Sequence, residues 1–263
     1  MKSTRWFVGY ALVGWMALCG GAVRAGDSSA AVTLDAAFLS GYMWRGQAYN
    51  DEVVLQPAST VTKGAFTASV WGNYNLTDRV TGEKADFSEV DVTLSFAGKF
   101  GPVGASAGLI EYVFPNQTAG EAAAQGTREV FVSLSLPDYA VVPSLGVYRD
   151  IDEVDGTYLT AGLAYTAPMC DTLSLTVSGS VGYGDKDYNG IYFGVGEAAW
   201  NDANVGLALT WKVCGTVSIV PSVQYTTLID SGVKDSAKAS AAADGALKDD
   251  SLVVGGVKVS WAF

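Results

Sequence analysis

The amino-acid sequence predicts an all-β fold, a single antiparallel transmembrane barrel of about twelve strands with short turns at one end and longer loops at the other. Three observations predict it. Segments of about 10 to 13 residues alternate apolar and polar side chains, near the length a tilted membrane strand needs. Glycine is abundant (31) and proline scarce (7). Beyond position 25 the sequence contains no run of 18 apolar residues, so it offers no spanning helix.

The first 25 residues are typical of a secretion signal peptide. Lys2 and Arg5 precede an apolar core at 6–18, and small residues favour a cut after Ala25. The alternative is an uncleaved anchor helix, because 6–23 is long enough to span a membrane. The polar residues that follow favour cleavage, which leaves one domain, the barrel, over 26–263.

Composition excludes several classes of function. Removing 1–25 takes away Lys2, Arg5 and Arg24 and no acidic residue, so the net charge of −11 becomes −14. Such an acidic chain does not fit nucleic-acid binding. Histidine is absent, which excludes Ser-His hydrolases, histidine bases and histidine metal sites. We therefore expect no enzyme activity, no cofactor and no metal.

The predicted strands follow one another from the front of the domain to its end. In chain order they are 31–43, 52–62, 65–75, 88–100, 102–114, 127–137, 140–149, 157–167, 172–184, 202–213, 216–229 and 251–263. The short connections are 63–64, 100–102, 137–139, 167–171 and 214–216; the long ones are 44–51, 76–87, 115–126, 150–156, 185–201 and 230–250. This strict alternation predicts periplasmic turns and extracellular loops.

Each strand has one apolar and one polar face. In 127–137, for example, Val130 and Val132 alternate with Glu129 and Ser133. Periodicity alone does not say which face is inside, but strand length, loop sorting and the signal peptide favour lipid outside. Aromatic residues near strand ends predict two interfacial belts. They are Tyr42, Trp44, Tyr74, Tyr112, Phe114, Tyr183 and Tyr225 on the loop side, and Phe96, Phe100, Tyr165, Trp211, Trp261 and Phe263 on the turn side.

The chain ends on an alternating strand whose last residue is aromatic. The residues of that pattern are Val257, Val259, Trp261 and Phe263. The pattern resembles the C-terminal signature of Gram-negative outer-membrane β-barrel proteins, which the assembly machinery of that membrane reads. The resemblance implies localisation in the outer membrane, with its lipid and its assembly machinery as partners.

A second resemblance covers the front half of the chain. The matching stretches are "SGYMWRG" at 40–46, "QPASTV" at 56–61, "VWGN" at 70–73, "EVD" at 89–91, "YVFP" at 112–115, "REVFVSLSL" at 128–136 and "YRDIDEVDGTY" at 148–158. They resemble a bacterial barrel family of unknown function whose members open with a Ser-x-Tyr-x-x-Arg-Gly strand. This resemblance implies a fold and no established activity.

Charged and aromatic residues on the polar phase are candidate lumen residues. They are Asp35, Arg45, Trp71, Glu89, Asp91, Glu129, Lys212 and Lys258. A basic group facing lipid at mid-bilayer costs roughly 2–4 kcal/mol, so we expect these side chains to point inward. They either form a selectivity lining or join in salt bridges that fill a narrow barrel. Trp71 likewise either narrows a pore or packs as a plug.

Two other features allow alternatives. The acidic loop 150–156 could bind calcium, but its spacing departs from the usual calcium loop, and a solvated loop is the simpler interpretation. Cys170 and Cys214 fall at the periplasmic ends of strands predicted to be neighbours, and the periplasm is oxidising. We therefore expect a structural Cys170–Cys214 disulfide, with two separate thiols as the alternative.

The function predicted from these features is a porin-like passive channel for small solutes with a preference for cations. Twelve strands fall between the eight of a filled barrel and the sixteen of an open porin. The inward glycine, alanine, serine and threonine residues favour some open volume. The alternative is a non-conducting structural or surface-binding barrel. The sequence leaves the oligomeric state open.

Overall fold

The computed structural model describes residues 29–78, 85–119, 122–123, 125–244 and 250–263. Twelve of its strands form one closed antiparallel barrel, as the sequence predicts. The predicted signal peptide over 1–25 lies outside the described residues and stays a prediction.

The barrel contains strands from every part of the domain. Its strands are β1 (Ala31–Leu39), β4 (Val54–Lys63), β5 (Phe66–Asn75), β6 (Asp86–Phe100), β7 (Val103–Val113), β10 (Thr127–Ser135), β11 (Val141–Asp150), β12 (Thr157–Cys170), β13 (Leu173–Gly184), β14 (Ala199–Lys212), β15 (Val217–Leu228) and β16 (Ser251–Ala262). Two short hairpins form separate two-stranded sheets that are not hydrogen-bonded into the barrel wall. They are β2 (Tyr42–Trp44) with β3 (Gln47–Asn50) and β8 (Thr118–Ala119) with β9 (Ala122–Ala123). The helices are α1 (Lys186–Tyr192) and α2 (Ser231–Asp244).

Neighbouring strands in the chain are neighbours in the barrel, and the first strand pairs with the last. Asp35 on β1 lies opposite Ser260 on β16. The backbone of Phe263 extends this seam, because it donates to Val32 O at 2.8 Å and accepts from Val32 N at 3.3 Å. Closure matters because hydrocarbon offers no partner to an open strand edge. The role of the final aromatic residues in assembly stays a prediction.

The connections are sorted by length as expected. The turns at 64–65, 101–102, 136–140, 171–172 and 213–216 share one end, and the connections at 40–53, 76–85, 114–126, 151–156, 185–198 and 229–250 share the other. One predicted strand is too long. Strand β1 ends at Leu39 rather than at 43, because Tyr42–Trp44 leaves the wall and forms the first arm of the β2–β3 hairpin.

Exposure shows which face of the wall lies outside. On β10 the apolar residues Val130 and Val132 are exposed, whereas Glu129 and Ser133 on either side of them are buried. The other strands repeat this arrangement, with Leu163 and Leu207 also exposed. Large apolar side chains therefore cover the outer wall, where lipid accommodates them, and polar side chains line the interior. The chain is therefore a membrane-spanning β-barrel.

The predicted aromatic belt is correct at the turn end and only in part at the loop end. All six aromatic residues predicted for the turn side are exposed. At the loop side, however, the prediction is wrong for Tyr42, Trp44 and Tyr112. These rings lie inside the barrel, with Tyr42 and Tyr112 buried.

Both described cysteines are free, exposed thiols, so the predicted Cys170–Cys214 bridge is not formed. The reason is the true length of β12, which extends to Cys170 and pairs that residue with Leu173 on β13. Cys214 lies just beyond β14, on the far side of β13. Two strand spacings are roughly 9.6 Å, beyond the range of roughly 4.4–6.8 Å that a disulfide allows between Cα atoms.

Alkylation of the unfolded mature protein without reductant is expected to modify both Cys170 and Cys214, because β13 keeps the two thiols apart. Mass spectrometry of the peptides measures this. If the two thiols are alkylated only after reduction, the cysteines are linked, and that result would contradict the strand register given above.

The two helices lie at the loop end. Val233 on α2 is fully buried against Leu228 and Phe193, and the Ser236 hydroxyl donates to the Phe193 carbonyl. None of the helices in the described ranges is long and apolar enough to cross a membrane. Helix α2 thus covers part of the loop end of the barrel.

Candidate functional site

The hairpin formed by β2 and β3, residues Tyr42–Asn50, lies within the barrel and is called the plug hairpin below. Trp44 pairs with Gln47, which leaves Arg45 and Gly46 as a two-residue turn. Both turn residues have positive φ, 46° and 82°. This is the geometry of a type I′ turn, whose twist suits a tight hairpin.

Gly46 is the point at which the plug hairpin approaches the far wall. A Cβ at this position would lie 2.8 Å from the Cβ of Asp202 on β14 and 2.8 Å from Cδ2 of Leu228 on β15. Its positive φ also favours glycine. The turn therefore reaches strands remote from β1 and β4, between which the hairpin is inserted.

Arg45 anchors the tip of the plug hairpin to the opposite wall. Its Nη1 and Nη2 donate to Oε1 and Oε2 of Glu129, each at 2.7 Å. The Tyr112 hydroxyl donates to Oε2 of the same carboxylate at 2.8 Å. Glu129 is 2% exposed and lies on β10, 84 residues from Arg45 in the chain. A bidentate pair with a third donor offsets much of the cost of burying both charges.

Aromatic rings surround the guanidinium. The Arg45 Cζ lies 4.4 Å from the ring centroid of Trp44 and 4.5 Å from those of Tyr148 and Tyr158. Each such contact contributes about 0.5–2 kcal/mol. Burial acts to lower the pKa of Arg45, but the charge of Glu129 outweighs it and raises that pKa well above its ordinary value. Arg45 is therefore positively charged in the lumen.

Helix α1 adds a further side to this cluster. Asp185 caps the helix, accepting a hydrogen bond from the Tyr188 backbone N–H at 2.8 Å and another from that of Thr157 at 2.9 Å. The cap orients Tyr188 inward, where its ring lies 5.3 Å from Tyr158 and 6.4 Å from Trp44. The loop carrying α1 thus packs on the tip of the plug hairpin.

Buried amides hold the other end of the plug hairpin. Asn50 Nδ2 donates to Asn75 Oδ1 at 2.9 Å, and Asn73 Nδ2 donates to the same oxygen at 3.1 Å. Gln56 Nε2 donates to Asn73 Oδ1 at 3.1 Å. These side chains are buried, and a hydrogen-bonded polar network of this kind specifies one arrangement of its parts. The hairpin base is therefore tied to strands β4 and β5.

The structure divides the predicted lumen residues into three groups. Arg45 lies on the plug hairpin, and Glu129, Glu89, Asp91 and Trp71 lie around it. Asp35 and Lys258 face each other across the β1–β16 seam, with Nζ 3.9 Å from Oδ1. Lys212 lies near the turn end of β14, opposite Ser218. The interpretation as internal salt bridges is thus correct for two pairs.

Trp71 packs against the plug hairpin. Its ring centroid lies 5.5 Å from that of Tyr42, and it joins the buried cluster at the hairpin base. Of the two roles predicted for Trp71, the packing role agrees with these contacts.

Sequence reasoning missed several residues of the site. They are Gly46, Asn50, Gln56, Asn73, Asn75, Tyr148, Tyr158, Tyr188 and Asp202. A signal existed for those on barrel strands, since Tyr148 and Tyr158 share the inward phase of their strands with glycine, serine and threonine residues. No local pattern predicts that α1 turns Tyr188 inward.

The inner wall changes in exposure along the barrel. At the loop end one inward residue of every strand is buried: Leu39, Val54, Asn75, Glu89, Tyr112, Thr127, Asp150, Tyr158, Gly184, Asp202, Leu228 and Val254. At the turn end one inward residue of every strand is half-buried or exposed: Thr33, Thr62, Thr67, Ala97, Gly104, Ser135, Ser144, Thr166, Ser174, Lys212, Ser218 and Ser260. The inner wall is thus buried at its outer end and more accessible at its periplasmic rim, although inward residues a few positions from the turns are also buried: Ser106, Thr176, Thr210 and Val220.

In the acidic loop 150–156, carboxylate oxygens accept hydrogen bonds from the backbone of the loop itself. Asp150 Oδ1 accepts hydrogen bonds from the backbone N–H groups of Asp152, Val154 and Asp155, at 3.0–3.2 Å. Arg149 forms an ion pair with Asp155. The described residues contain no group of three or more acidic, cysteine or histidine side chains placed to hold a metal ion.

A family comparison covers nearly the whole predicted domain. The model of a bacterial family described as "Bacterial protein of unknown function (Gcw_chp)" matches residues 24–259. The chain belongs to this family. The match confirms the predicted resemblance to a family of unknown function. In a Gcw_chp protein such as this one, the stretches quoted at 40–46, 89–91, 112–115 and 128–136 contribute residues that surround the plug hairpin.

Solved outer-membrane channels share the barrel. The KdgM porin in complex with disordered oligogalacturonate superposes with a TM-score of 0.53 at 10% identity, covering 89% of this chain and 99% of that one. The COG4313 outer-membrane channel from Pseudomonas putida F1 gives 0.52 at 8% identity, with 92% and 98% covered. No curated protein sequence matches the chain. The similarity shows the fold.

Proposed function

We propose that this protein is a porin-like, non-enzymatic channel that passes small solutes, with a preference for cations, and whose outer end is restricted by the plug hairpin. The change in exposure along the inner wall carries the proposal. The inward positions at the periplasmic rim are small hydroxyl, alanine and glycine residues, apart from Lys212, and solvent reaches them more than the inward residues at the loop end. A barrel built only as a scaffold gains nothing from small residues at this rim, since larger side chains there would add packing contacts.

The charges of the lumen support a preference for cations. Arg45 neutralises Glu129, and Lys258 faces Asp35. Glu89 and Asp91 have no ion pair with a described lysine or arginine, so the wall beside the plug hairpin carries an acidic surplus. Acidic rings of this kind favour cations in channels.

One observation favours a second function, that of a non-conducting structural barrel. The plug hairpin reaches the far wall and contacts residues of β10, β14 and β15 through Arg45 and Gly46. If the hairpin never moves, the barrel spans the membrane without passing solutes.

Single-channel recording in planar bilayers tests the proposed function. Discrete current steps are expected, and in a KCl gradient the reversal potential should have the sign of cation selectivity. The opposite sign would contradict the cation preference. If neither the parent protein nor a variant without the plug hairpin carries current, the structural function is favoured instead.

A further inference from the structure

Two adjacent carboxylates on the inner wall form a site that the plug contacts do not use. Glu89 and Asp91 lie two residues apart on β6, so both side chains point to the lumen. They are 4% and 7% exposed, and the two side chains are close enough to interact electrostatically. The nearby guanidinium of Arg45 is engaged by Glu129 instead.

One oxygen of this pair has no partner. Tyr42 interacts with the Glu89 carboxylate, whereas Asp91 Oδ1 is buried and makes no hydrogen bond to any described residue. An unpaired carboxylate oxygen removed from water is costly, and a second negative charge beside it increases the cost. A positive species between the two carboxylates would remove both penalties.

The charge balance and the surroundings indicate which species fits. With Arg45 and Glu129 cancelling, the cluster carries two formal negative charges, which one divalent cation neutralises. The donors are two carboxylates and a phenol oxygen, and hard cations bind oxygen ligands. Trp71 lies opposite Asp91 in the strand register, and its ring is 5.5 Å from that of Tyr42, so aromatic rings flank the site.

We propose that Glu89 and Asp91 bind a hard divalent cation, of the Ca²⁺ or Mg²⁺ class, at the base of the plug hairpin. Tyr42 belongs to the plug hairpin and contacts Glu89, so the bound ion ties the hairpin to the barrel wall. Water molecules complete the coordination, because two carboxylates alone supply too few oxygens for either ion. The site does not depend on the barrel conducting.

The first test is the unfolding of the refolded mature barrel in detergent, with CaCl₂ or with EDTA. Ca²⁺ is expected to raise the unfolding midpoint of the parent protein, because a ligand that binds the folded state stabilises it. Asp91→Asn and Glu89→Gln should each lose this shift. Asp35→Asn, a lumen carboxylate that faces Lys258, should keep it.

Terbium luminescence gives a second readout that does not depend on stability. Tb³⁺ bound between Glu89 and Asp91 is expected to be sensitised by Trp71 and Tyr42, and added Ca²⁺ should quench the signal by displacement. The Asp91→Asn variant should lose the Ca²⁺-displaceable signal while remaining folded, as judged by its heat-modifiable migration.

Two outcomes would overturn the site. An equal Ca²⁺ shift in the parent, Asp91→Asn and Glu89→Gln proteins would place the ion elsewhere. An unfolding midpoint that responds to pH and not to Ca²⁺ would show that the carboxylates share a proton. A conducting barrel without the Ca²⁺ shift disproves only the site, and a Ca²⁺ shift without conductance disproves only the channel.

Discussion

Removal of the plug hairpin is expected to raise the single-channel conductance several-fold. The plug hairpin fills the outer half of a lumen whose inward residues are more accessible at the periplasmic rim. The change is feasible because β1 and β4 pair directly, with Leu39 opposite Val54. An Asn-Gly dipeptide in place of 40–53 therefore joins two adjacent strand ends by a two-residue type I′ turn.

Planar-bilayer recording measures the effect, and two controls accompany it. The shortened variant must remain heat-modifiable, which we expect because all twelve barrel strands are retained. Ile191→Ser, at an exposed position on α1, should conduct like the parent protein. An unchanged conductance in a correctly folded, shortened variant would show that the hairpin is not the restriction.

Arg45→Met is expected to lower the free energy of unfolding by about 3–5 kcal/mol, because it leaves the Glu129 carboxylate buried without its counter-charge. Glu129→Leu should lower the free energy of unfolding by a similar amount, because it leaves the Arg45 guanidinium buried among its aromatic rings without a counter-charge. The double variant Arg45→Met/Glu129→Leu removes both charges and should recover most of the loss. Urea unfolding of the refolded barrel in lipid vesicles measures all three.

The surface pair Arg128 and Glu111 is the matched control. It is also a bidentate pair between β10 and β7, but Arg128 is half exposed. Arg128→Met should change the stability little, because solvent screens exposed pairs. Equal losses at Arg45 and Arg128, or additive losses in the double variant of the buried pair, would show that the Arg45–Glu129 pair does not hold the plug hairpin.

Much of the barrel was readable from the sequence because its signals are local. A membrane strand must alternate, must reach a minimum length and must satisfy its backbone in a ladder. These requirements appear within each segment, so the twelve strands were predicted with small errors at their ends. One such error, at the end of β12, led to the wrong disulfide prediction. The strand is three residues longer than predicted, so Cys170 lies on β12 with β13 as its neighbour.

The site was predicted only in part. Arg45 and Glu129 were both assigned to the lumen, but their pairing joins residues 84 positions apart and follows from barrel closure. Tyr42, Trp44 and Tyr112 were assigned to a membrane belt, because an aromatic residue near a strand end looks the same whether it faces a headgroup or a lumen.

The sequence by itself determined the barrel, its strand number and the face that meets lipid, because period-two alternation and loop length are properties of neighbouring residues. Only the tertiary structure showed that residues 42–50 turn inward and fill the outer half of the lumen. The alternating sequence pattern of a strand is the same whether its inward polar or aromatic side chains contact water or an inserted hairpin. What it contacts depends on residues brought from across the barrel, and no local pattern contains that information.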